Sequence, residues 1–475
     1  MMEQQWLEFL RECSEQGASL LAVLHEAKRR FGDVELERQK EIAEALRLPL
    51  SRAAGVATFF SVFNGMDDGA VEEDLFAAPH SGPMLAGDPE YRAVRRTVDE
   101  HLDILALLEQ GGILGRSGSG FPVAAKWKLT ADTQAEEKYM VCNGSEGEGY
   151  TYKDAALLTH APSAVIAGMA LCALATGIEA GFLYVRAEYE NAYRCVKRAV
   201  ESAYEKGVLG DDVLGSGKRF HLTAVLGGGA YVSGEETGLL QALEGERSEP
   251  RLKPPYPGVC GLHGKPTIVN NAESFAAVTA LVLSDENAVN TKLYTLSGCV
   301  ADPGVYELPQ GVTLQEAIDA AGGIAPGKDL KGIQLGGGAT GGFAGPGALD
   351  TVLDYAGCRQ KGLALGTASI HCFDKTQSAA ALCRESISFL AGQSCGMCAP
   401  CRFGLERMTE LLDELIAGAA EPEVLAELDE MAAYIGQSAR CALGQAAPTA
   451  FVTARRAFPA DFETLCKEVE PCACV

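Results

Sequence analysis

Apolar residues in the first part of the chain recur at helical spacing. The first helical face is marked by Leu20, Leu24, Ala27 and Phe31. Gly32 and Asp33 end that helix, since neither residue favours its continuation. The pattern predicts a second helix over residues 36–46, and a third that starts at Ser51, an N-cap candidate, and runs towards Phe63.

Between about residues 95 and 285, short apolar runs alternate with helical stretches. The runs with strand character are residues 139–142, 181–185 and 222–226. Because helical stretches separate them, their order predicts a largely parallel sheet. A longer apolar run from Ala164 to Gly181 is interpreted as a buried helix, because Gly168 and Gly177 interrupt it and it is marginal in length for a membrane span.

The last third of the chain changes character twice. Residues from about 290 to 370 are rich in glycine, with a strand signal over 292–298 and a helix signal over 314–321. From about Ser378 the pattern is helical again. One amphipathic helix is marked by Leu405, Met408, Leu411, Leu412 and Leu415.

The pattern as a whole predicts an α/β protein with smaller domains around the parallel sheet. The predicted parts are a helical segment over 1–66, a linker over 67–94, an α/β domain over 95–288, a small α+β domain over 289–372 and a helical domain over 373–475.

Composition narrows the class of partner and the compartment. A net charge of −24 argues against a phosphate-backbone partner. The N-terminus has no basic region followed by an apolar stretch, so no signal peptide is predicted. With that start, 16 cysteines are more typical of a reducing cytoplasm than of a disulfide framework.

Four of these cysteines form the most specific chemical pattern. Cys395, Cys398 and Cys401 are spaced three apart, and Cys441 follows forty residues later. Such a loop with a distant fourth thiolate favours a [4Fe–4S] cluster. Zinc, which usually takes two separated cysteine pairs, and chance spacing remain as alternatives. An N-terminal helix dipole beside the cluster would favour a more negative state.

Three loops that are rich in glycine or acidic residues add a second signal. They span residues 115–122, 143–148 and 227–237, and the last two follow predicted strands. Bare amides let a backbone approach a phosphate or a flat ring. Each loop alone is as consistent with an ordinary turn. Together with a cluster they favour a nucleotide-type cofactor, and flavin is the usual converter between two-electron and one-electron carriers.

At these residues the chain resembles a known family, the flavoprotein (51 kDa) subunit of respiratory complex I. Relatives are the diaphorase subunits of NAD-reducing or bifurcating hydrogenases and the β subunits of NAD-dependent formate dehydrogenases. The resemblance covers about residues 100–455. It rests on the motifs Gly115–Pro122 with Lys126 and Trp127, Asn143–Glu148, Tyr231–Thr237, Arg251–Pro255, Gly264–Asn271 and Ser394–Arg402.

The resemblance implies roles for particular residues. FMN is expected on Gly115, Arg116, Gly118, Lys126, Asn143, Glu146, Gly234, Glu235, Val269, Asn270 and Asn271. NADH is expected to contact Phe121, Tyr256, Glu148, Tyr231, Glu236 and Lys253. Glu148 and Lys126 are the residues expected nearest the chemistry. A carboxylate at Glu236 would repel a 2′-phosphate and so favour NAD over NADP.

The same resemblance extends to both smaller parts. Residues 292–340 resemble a β-grasp (SLBB-type) domain, and residues 17–64 resemble the helical front of the family's 24 kDa partner subunit. Cys13 is the only cysteine before Cys142, so a [2Fe–2S] site cannot form in this front part. A docking module is favoured there over an inert relic.

Several positions depart from the family pattern. Ser117 stands for glycine, Ser145 for aspartate and Gln393 for glutamate. Loss of the aspartate charge should raise the potential of a nearby flavin. Cys466, Cys472 and Cys474 form no four-ligand set.

The leading hypothesis is therefore an NADH dehydrogenase-type subunit that moves electrons between NAD(H), FMN and a [4Fe–4S] cluster. Its partners would be other subunits of a cytoplasmic redox complex, among them a [2Fe–2S] thioredoxin-like subunit. The alternatives are an inactive scaffold paralogue and an NADPH-specific relative. The direction of electron flow and the terminal donor or acceptor stay open.

Overall fold

The computed structural model describes residues 2–64, 79–80, 82–285, 289 and 291–467. We call residues 2–64 the front segment. Its helices are Met2–Gln16, Leu20–Phe31, Leu36–Ala45, Leu50–Phe59 and Ser61–Asn64. The prediction of one helix from Ser51 to Phe63 is wrong: the helix starts after Pro49, and Phe60 is extended (φ −85°, ψ 128°).

The large α/β domain is built on four parallel strands. These are β1 (Tyr139–Gly144), β2 (Ala180–Val185), β3 (His221–Leu226) and β4 (Thr267–Asn271), in the order β3-β2-β1-β4. Its helices are Arg92–Glu100, Ile104–Gly111, Val123–Asp132, Lys153–His160, Pro162–Thr176, Glu190–Glu205, Glu236–Leu243 and Ala272–Leu283. The parallel sheet and three of its strands agree with the sequence pattern.

Two details of this domain differ from the sequence prediction. The apolar helix ends at Thr176 rather than Gly181, because Gly177 takes a left-handed φ of +72° and β2 begins at Ala180. Helix Arg92–Glu100 begins inside the predicted linker, where the buried carboxylate of Asp88 accepts from its first amides. Residues 65–78 of that linker lie outside the described residues.

Both faces of the parallel sheet are covered, as an all-parallel sheet requires. Met140 and Cys142 of β1 pack into a core that includes helix Pro162–Thr176. Val141, between them, packs into a different core that contains Trp6, Phe60 and other side chains of the front segment. Successive strand residues point to opposite faces, so the front segment forms part of one of the two layers of this domain, together with helix Glu236–Leu243.

The small α+β domain has a five-stranded mixed sheet. Its strands are β5 (Thr291–Gly298), β6 (Gly304–Pro309), β7 (Leu330–Leu335), β8 (Gly342–Ala344) and β9 (Ser369–Asp374), in the order β6-β5-β9-β7-β8. Its helices are Leu314–Ala320 and Tyr355–Gln360. Thr313 and Glu316 form a reciprocal capping box at the start of the first.

The C-terminal part is helical, as predicted. Its helices are Ala379–Gly392, Ala399–Ile416, Val424–Ser438, Ala442–Ala446, Thr449–Ala457 and Ala460–Glu463. Helix Ala399–Ile416 begins ahead of Cys401, so this cysteine lies in its first turn. Cys472 and Cys474 lie outside the described residues, and Cys466 contacts the carbonyl of Phe462 through its thiol.

Among the described residues, no single helix is both long enough and apolar enough to span a membrane. The bent pair Lys153–His160 and Pro162–Thr176, with 91° between its members, meets these two conditions only when taken together. Residues 164–174 of the second helix are buried inside the α/β domain.

Candidate functional site

A cavity of about 460 Å³ opens at the carboxyl ends of the parallel strands. This edge is where open α/β sheets place their ligands, and the volume lies within the usual range of about 300–1,000 Å³ for ligand sites. Of the predicted site residues, the cavity is lined by Gly118, Asn143, Glu146, Glu148, Tyr231, Gly234, Glu235 and Asn271.

The first glycine-rich loop contributes residues 117–119 to the wall. Gly118 has a φ of +111°, which a side chain would strain, and its backbone lies against Gly366 of the small domain. Ser117, which departs from the family pattern, faces the same cavity. Gly115 is set back, since its N–H donates to Phe121 and its carbonyl accepts from the Tyr355 hydroxyl.

The end of β1 and the loop after it bring the amide of Asn143 and the acid of Glu146 to the cavity. The Asn143 side-chain amide donates to the carbonyl of Gly234 at 2.9 Å, and its oxygen accepts from the Ser145 N–H. The Glu146 carboxylate accepts from the N–H groups of Asp154 and Ala155 at the start of helix Lys153–His160. Burial, and then the charge of Asp154, raises the pKa of Glu146.

A network of buried charges lies beside this wall and was not expected from the sequence. The Lys153 ammonium lies 2.7 Å from Asp154 and 3.2 Å from Glu273, and it donates to the Asn271 side-chain oxygen. Although burial opposes it, these carboxylates raise the pKa of Lys153. Lys292 of β5 lies 3.5 Å from Glu273, and burial lowers its pKa to about 8.

Arg116, predicted as an FMN residue, belongs to this network rather than to the cavity wall. The side chain is 4% exposed, and the backbone N–H donates to the Ser274 hydroxyl. Although burial opposes the charge of Glu273, Lys292, Lys153 and Arg116 lower its pKa. The charged side chain of Arg116 therefore anchors the first glycine-rich loop to the protein interior.

Glu148 joins three parts of the chain. Its carboxylate accepts from the N–H groups of Ala339 (2.9 Å) and Thr340 (2.6 Å) in the small domain, and from the Thr340 hydroxyl. It also accepts a short hydrogen bond from the Tyr231 hydroxyl. Burial raises the pKa of Glu148, although the four hydrogen bonds from these donors lower it. The backbone N–H of Tyr231 in turn donates to Gln393, one of the departures from the family pattern.

A second group of predicted residues meets beside the cavity as ion pairs. The Glu236 carboxylate lies 3.2 Å from the Lys126 ammonium and 2.6 Å from Lys253, which also lies 2.8 Å from Glu235. Although burial opposes it, the two lysines lower the pKa of Glu236. Lys126 also donates to the carbonyl of Val269 at 2.9 Å. The charge of Glu236 is thus largely balanced.

Three more predicted residues flank the two groups. Asn270 accepts from the Trp127 indole N–H at 3.1 Å and is buried. Phe121 and Tyr256 are 51% and 56% exposed. These aromatic rings are free to meet a ligand at the surface.

The closure of the cavity by other domains was not predicted from the sequence. Its outer wall comes from the small domain and the C-terminal helices, through Leu335, Gly336, Thr340, Gly341, Ala364, Gly366, Thr367, Ala442, Leu443, Ala446 and Thr449. The glycines at positions 336, 337 and 341 were the signal for this closure in the sequence. An added Cβ atom at any of them would clash with atoms packed against the glycine.

The four motif cysteines line a separate small cavity with Val232, Pro250, Met397, Arg440 and Leu443. Cys398 and Cys441 each stand immediately before a helix, Ala399–Ile416 and Ala442–Ala446. Burial raises the pKa of the Cys401 thiol to about 11. In the described part of the chain, no three His, Cys, Asp or Glu side chains meet as ligands of one metal ion. The cysteines surround a shared space instead.

The two cavities share a wall. Leu443 lines both, and the turn Tyr231–Gly234 faces the larger cavity with Tyr231 and the cysteine cavity with Val232. One turn and one short helix therefore separate them. A flavin and a cluster that accepts its electrons need to lie close together, as these two cavities do.

The residues present fit both groups. A flavin mononucleotide has a flat ring, hydroxyls and a phosphate, and the cavity offers glycine backbone, carboxamides, carboxylates and a buried ammonium. Four thiols around one apolar space, three of them from one short loop, match the donor set of a [4Fe–4S] cluster.

Models of four protein families match successive parts of the chain. They are described as the Nuo51 FMN-binding domain (residues 108–280), the SLBB domain (293–348), the NADH-ubiquinone oxidoreductase-F iron-sulfur binding region (381–465) and the thioredoxin-like [2Fe-2S] ferredoxin (7–72).

Curated relatives and solved structures agree with these matches. An NADH-quinone oxidoreductase subunit of Rhizobium meliloti is 37% identical over 384 residues, which is 78% of this chain and 91% of the relative. The NADP-reducing hydrogenase subunit HndC of Solidesulfovibrio fructosivorans is 34% identical and covers 76% of this chain and 75% of the relative. A crystal structure of a NAD⁺-reducing [NiFe]-hydrogenase matches with a TM-score of 0.84 at 26% identity, over 95% of this chain and 93% of that one.

Proposed function

Because the chain belongs to the family of the complex I flavoprotein subunit and its hydrogenase diaphorase relatives, we propose that it exchanges electrons between NAD(H) and partner subunits. It is an NADH dehydrogenase-type oxidoreductase with FMN and a [4Fe–4S] cluster as cofactors. When bound, FMN supplies the conversion between a two-electron hydride and single electrons.

One observation carries this proposal: the flavin-sized cavity and the cysteine cavity meet at Leu443 and the turn Tyr231–Gly234. A scaffold paralogue would have no need to keep both cavities and their common wall. The intact cysteine set and the buried Glu146 and Lys153 argue for function in the same way.

The chain's own residues hold and orient the reactants in this proposal. Backbone around Gly118, and the side chains of Asn143 and Asn271, would hold FMN. Glu148 would fix the small domain and Tyr231 over the cavity, which excludes water from the reacting rings. Phe121 and Tyr256 would take the adenine end of NADH, with Lys253 close to its phosphates, and Lys126 would contact FMN.

The choice between NAD and NADP needs an argument of its own, because one relative is named for NADP. We favour NAD, since Glu236 is held ionised by its two lysines. A 2′-phosphate placed there would face an anion that already has its partners.

We propose other subunits of a redox complex as partners, including a [2Fe–2S] thioredoxin-like one, because the cluster of this chain needs an onward acceptor. We propose a cytoplasmic location, because the free thiols and the cluster require a reducing environment.

The test is anaerobic purification with flavin and iron analysis, followed by NADH-dependent reduction of ferricyanide. We expect about one FMN and one [4Fe–4S] cluster per chain, and faster turnover with NADH than with NADPH. Protein that holds neither cofactor after reconstitution would overturn the proposal.

A further inference from the structure

We propose that the front segment positions residues of the NAD(H) site. It does so by contacts with both ends of the stretch 227–247, and we call these two sets of contacts the grips. This inference rests on the proposed function and adds a role for residues outside the cofactor-binding motifs. Between the two gripped ends lie Tyr231, Gly234, Glu235 and Glu236.

The first grip lies at the start of the stretch, on three consecutive glycines. His25 lies with its ring Nε2 2.6 Å from the carbonyl oxygen of Gly227. Ser61 donates to the carbonyl of Gly229 through its N–H at 3.0 Å and its hydroxyl at 2.7 Å. The N–H of Val62 donates to Gly228 at 3.2 Å. All three carbonyls of the loop are thus held by the front segment.

Packing fixes the same loop from the side. Phe60 is fully buried, and its ring lies so close to Gly228 that any Cβ atom there would clash at 2.3 Å. The break in the front-segment helix at Phe60 makes this contact, because it turns the following N–H groups towards the loop. These contacts with the glycine loop explain why the helix ends at Phe59.

The second grip lies at the end of the stretch, where helix Glu236–Leu243 finishes. The Arg52 guanidinium donates to the carbonyls of Glu244 and Gly245, and lies 3.1 Å from the Glu246 carboxylate. The guanidinium of Arg247 stacks over the ring of Phe59 at 5.0 Å. Carbonyls at a helix C-terminus lack internal partners, so Arg52 satisfies groups that would otherwise need water.

Between the grips, the held stretch makes the contacts that order the site. Tyr231 bonds Glu148, Gly234 accepts from Asn143, and Glu236 pairs with Lys126. A shift at either grip therefore moves the groups expected to meet NADH. The stretch also borders the cysteine cavity through Val232, and the Tyr231 N–H donates to Gln393, but all four cysteines lie outside the stretch.

The test uses the complete protein with its cofactors and three variants, His25→Ala, Ser61→Ala and Arg52→Ala. We expect the KM for NADH to rise about fivefold for each lost hydrogen-bond group, with a smaller change in kcat. Hydrogen exchange of residues 227–247 should quicken, and the cluster's EPR signal should stay as in the wild type.

Two controls separate positioning from general stability. His25→Gln restores an N–H donor towards Gly227 and should return KM to near the wild-type value. Lys40→Ala removes an exposed lysine of the same segment that pairs only with Glu37 in the described structure, and should change neither KM nor exchange.

Unchanged KM and unchanged exchange in all three variants would overturn the inference, even if their melting temperatures fall. If His25→Ala does not fold, Ser61→Ala and Arg52→Ala decide the question alone. A wild-type protein that does not oxidise NADH would defeat the proposed function instead, and the exchange measurement would still report on the grips.

Discussion

The two cavities at the centre of the molecule are built in opposite ways. The cysteine cavity takes all four thiols from within 47 residues of one helical domain, and its other lining side chains are mostly apolar. The flavin-sized cavity draws its wall from residues 117 to 449, across the α/β domain, the small domain and the C-terminal helices, and carries buried charges. The first is a local motif, whereas the second exists only where the domains meet.

This difference predicts different kinds of failure. Removing a ligand from the local site should abolish one cofactor and leave the rest intact. Removing a charge near the assembled site should disturb the meeting of domains, because each buried charge there has partners on more than one element.

The largest effect is expected for Cys401→Ser, which should remove the iron–sulfur absorbance and EPR signal altogether, since a hydroxyl is a poor cluster ligand. Flavin content and NADH–ferricyanide turnover should largely survive, because the flavin cavity does not depend on this thiol. Cys466→Ser is the matched control in the same domain. Loss of FMN together with the cluster would contradict the separation of the two sites.

Next in size is Lys153→Met, which leaves Asp154 buried without its ammonium and removes one of the two lysines that pair with Glu273. We expect a loss of about 3–5 kcal/mol in the free energy of unfolding, measured by denaturant titration. Lys292→Met should cost less, because burial already lowers the pKa of Lys292 to about 8.

The pH dependence of Lys153→Met sharpens the same comparison. A carboxylate that is buried without a cation favours its protonated, neutral form. The folded variant therefore binds protons more readily than its unfolded chain does, and it gains stability as the pH falls. The gap to wild type should narrow between pH 8 and pH 5. A gap that widens over this range would rule out unpaired carboxylates as the cause.

A smaller effect is expected for Glu148→Gln, which weakens the hydrogen bonds that hold the small domain and Tyr231 over the cavity. Charge-assisted hydrogen bonds support a loss of about tenfold in kcat/KM for NADH. Glu385→Gln, at an exposed position on the neighbouring helix, should leave turnover unchanged. Equal turnover in both variants would mean that Glu148 has no part in the reaction.

The smallest effect is expected for Glu236→Gln. Removing this charge frees Lys126 and Lys253 to meet a 2′-phosphate, so NADPH turnover should rise roughly threefold relative to NADH. The measurement is the ratio of kcat/KM for the two nucleotides, with Glu137→Gln as an exposed control. A ratio that does not move would remove Glu236 from the specificity argument.

The sequence predicted the parts of the site that are contiguous in the chain. The cysteine spacing and the glycine-rich loops after β1 and β3 are local signals, and the matched family models agree with the cofactors inferred from them. The sequence did not show that the Arg116 side chain is buried, because a loop motif does not reveal whether a side chain points towards a cavity or into the core behind it.

What the sequence by itself determined is the chemistry: thiols at cluster spacing, bare backbone at strand ends, and the alternation of strands and helices that gives a parallel sheet. These features depend on neighbours along the chain, whose geometry is fixed by covalent spacing and periodicity. The tertiary structure alone decided the rest. It paired Lys153 with Glu273 and Lys292 with the same carboxylate, closed the cavity with glycines of the small domain, and placed His25 and Arg52 on the stretch 227–247. Most of those contacts join residues more than a hundred positions apart, or match two faces of a sheet, and only packing selects them from the many pairings that the composition allows.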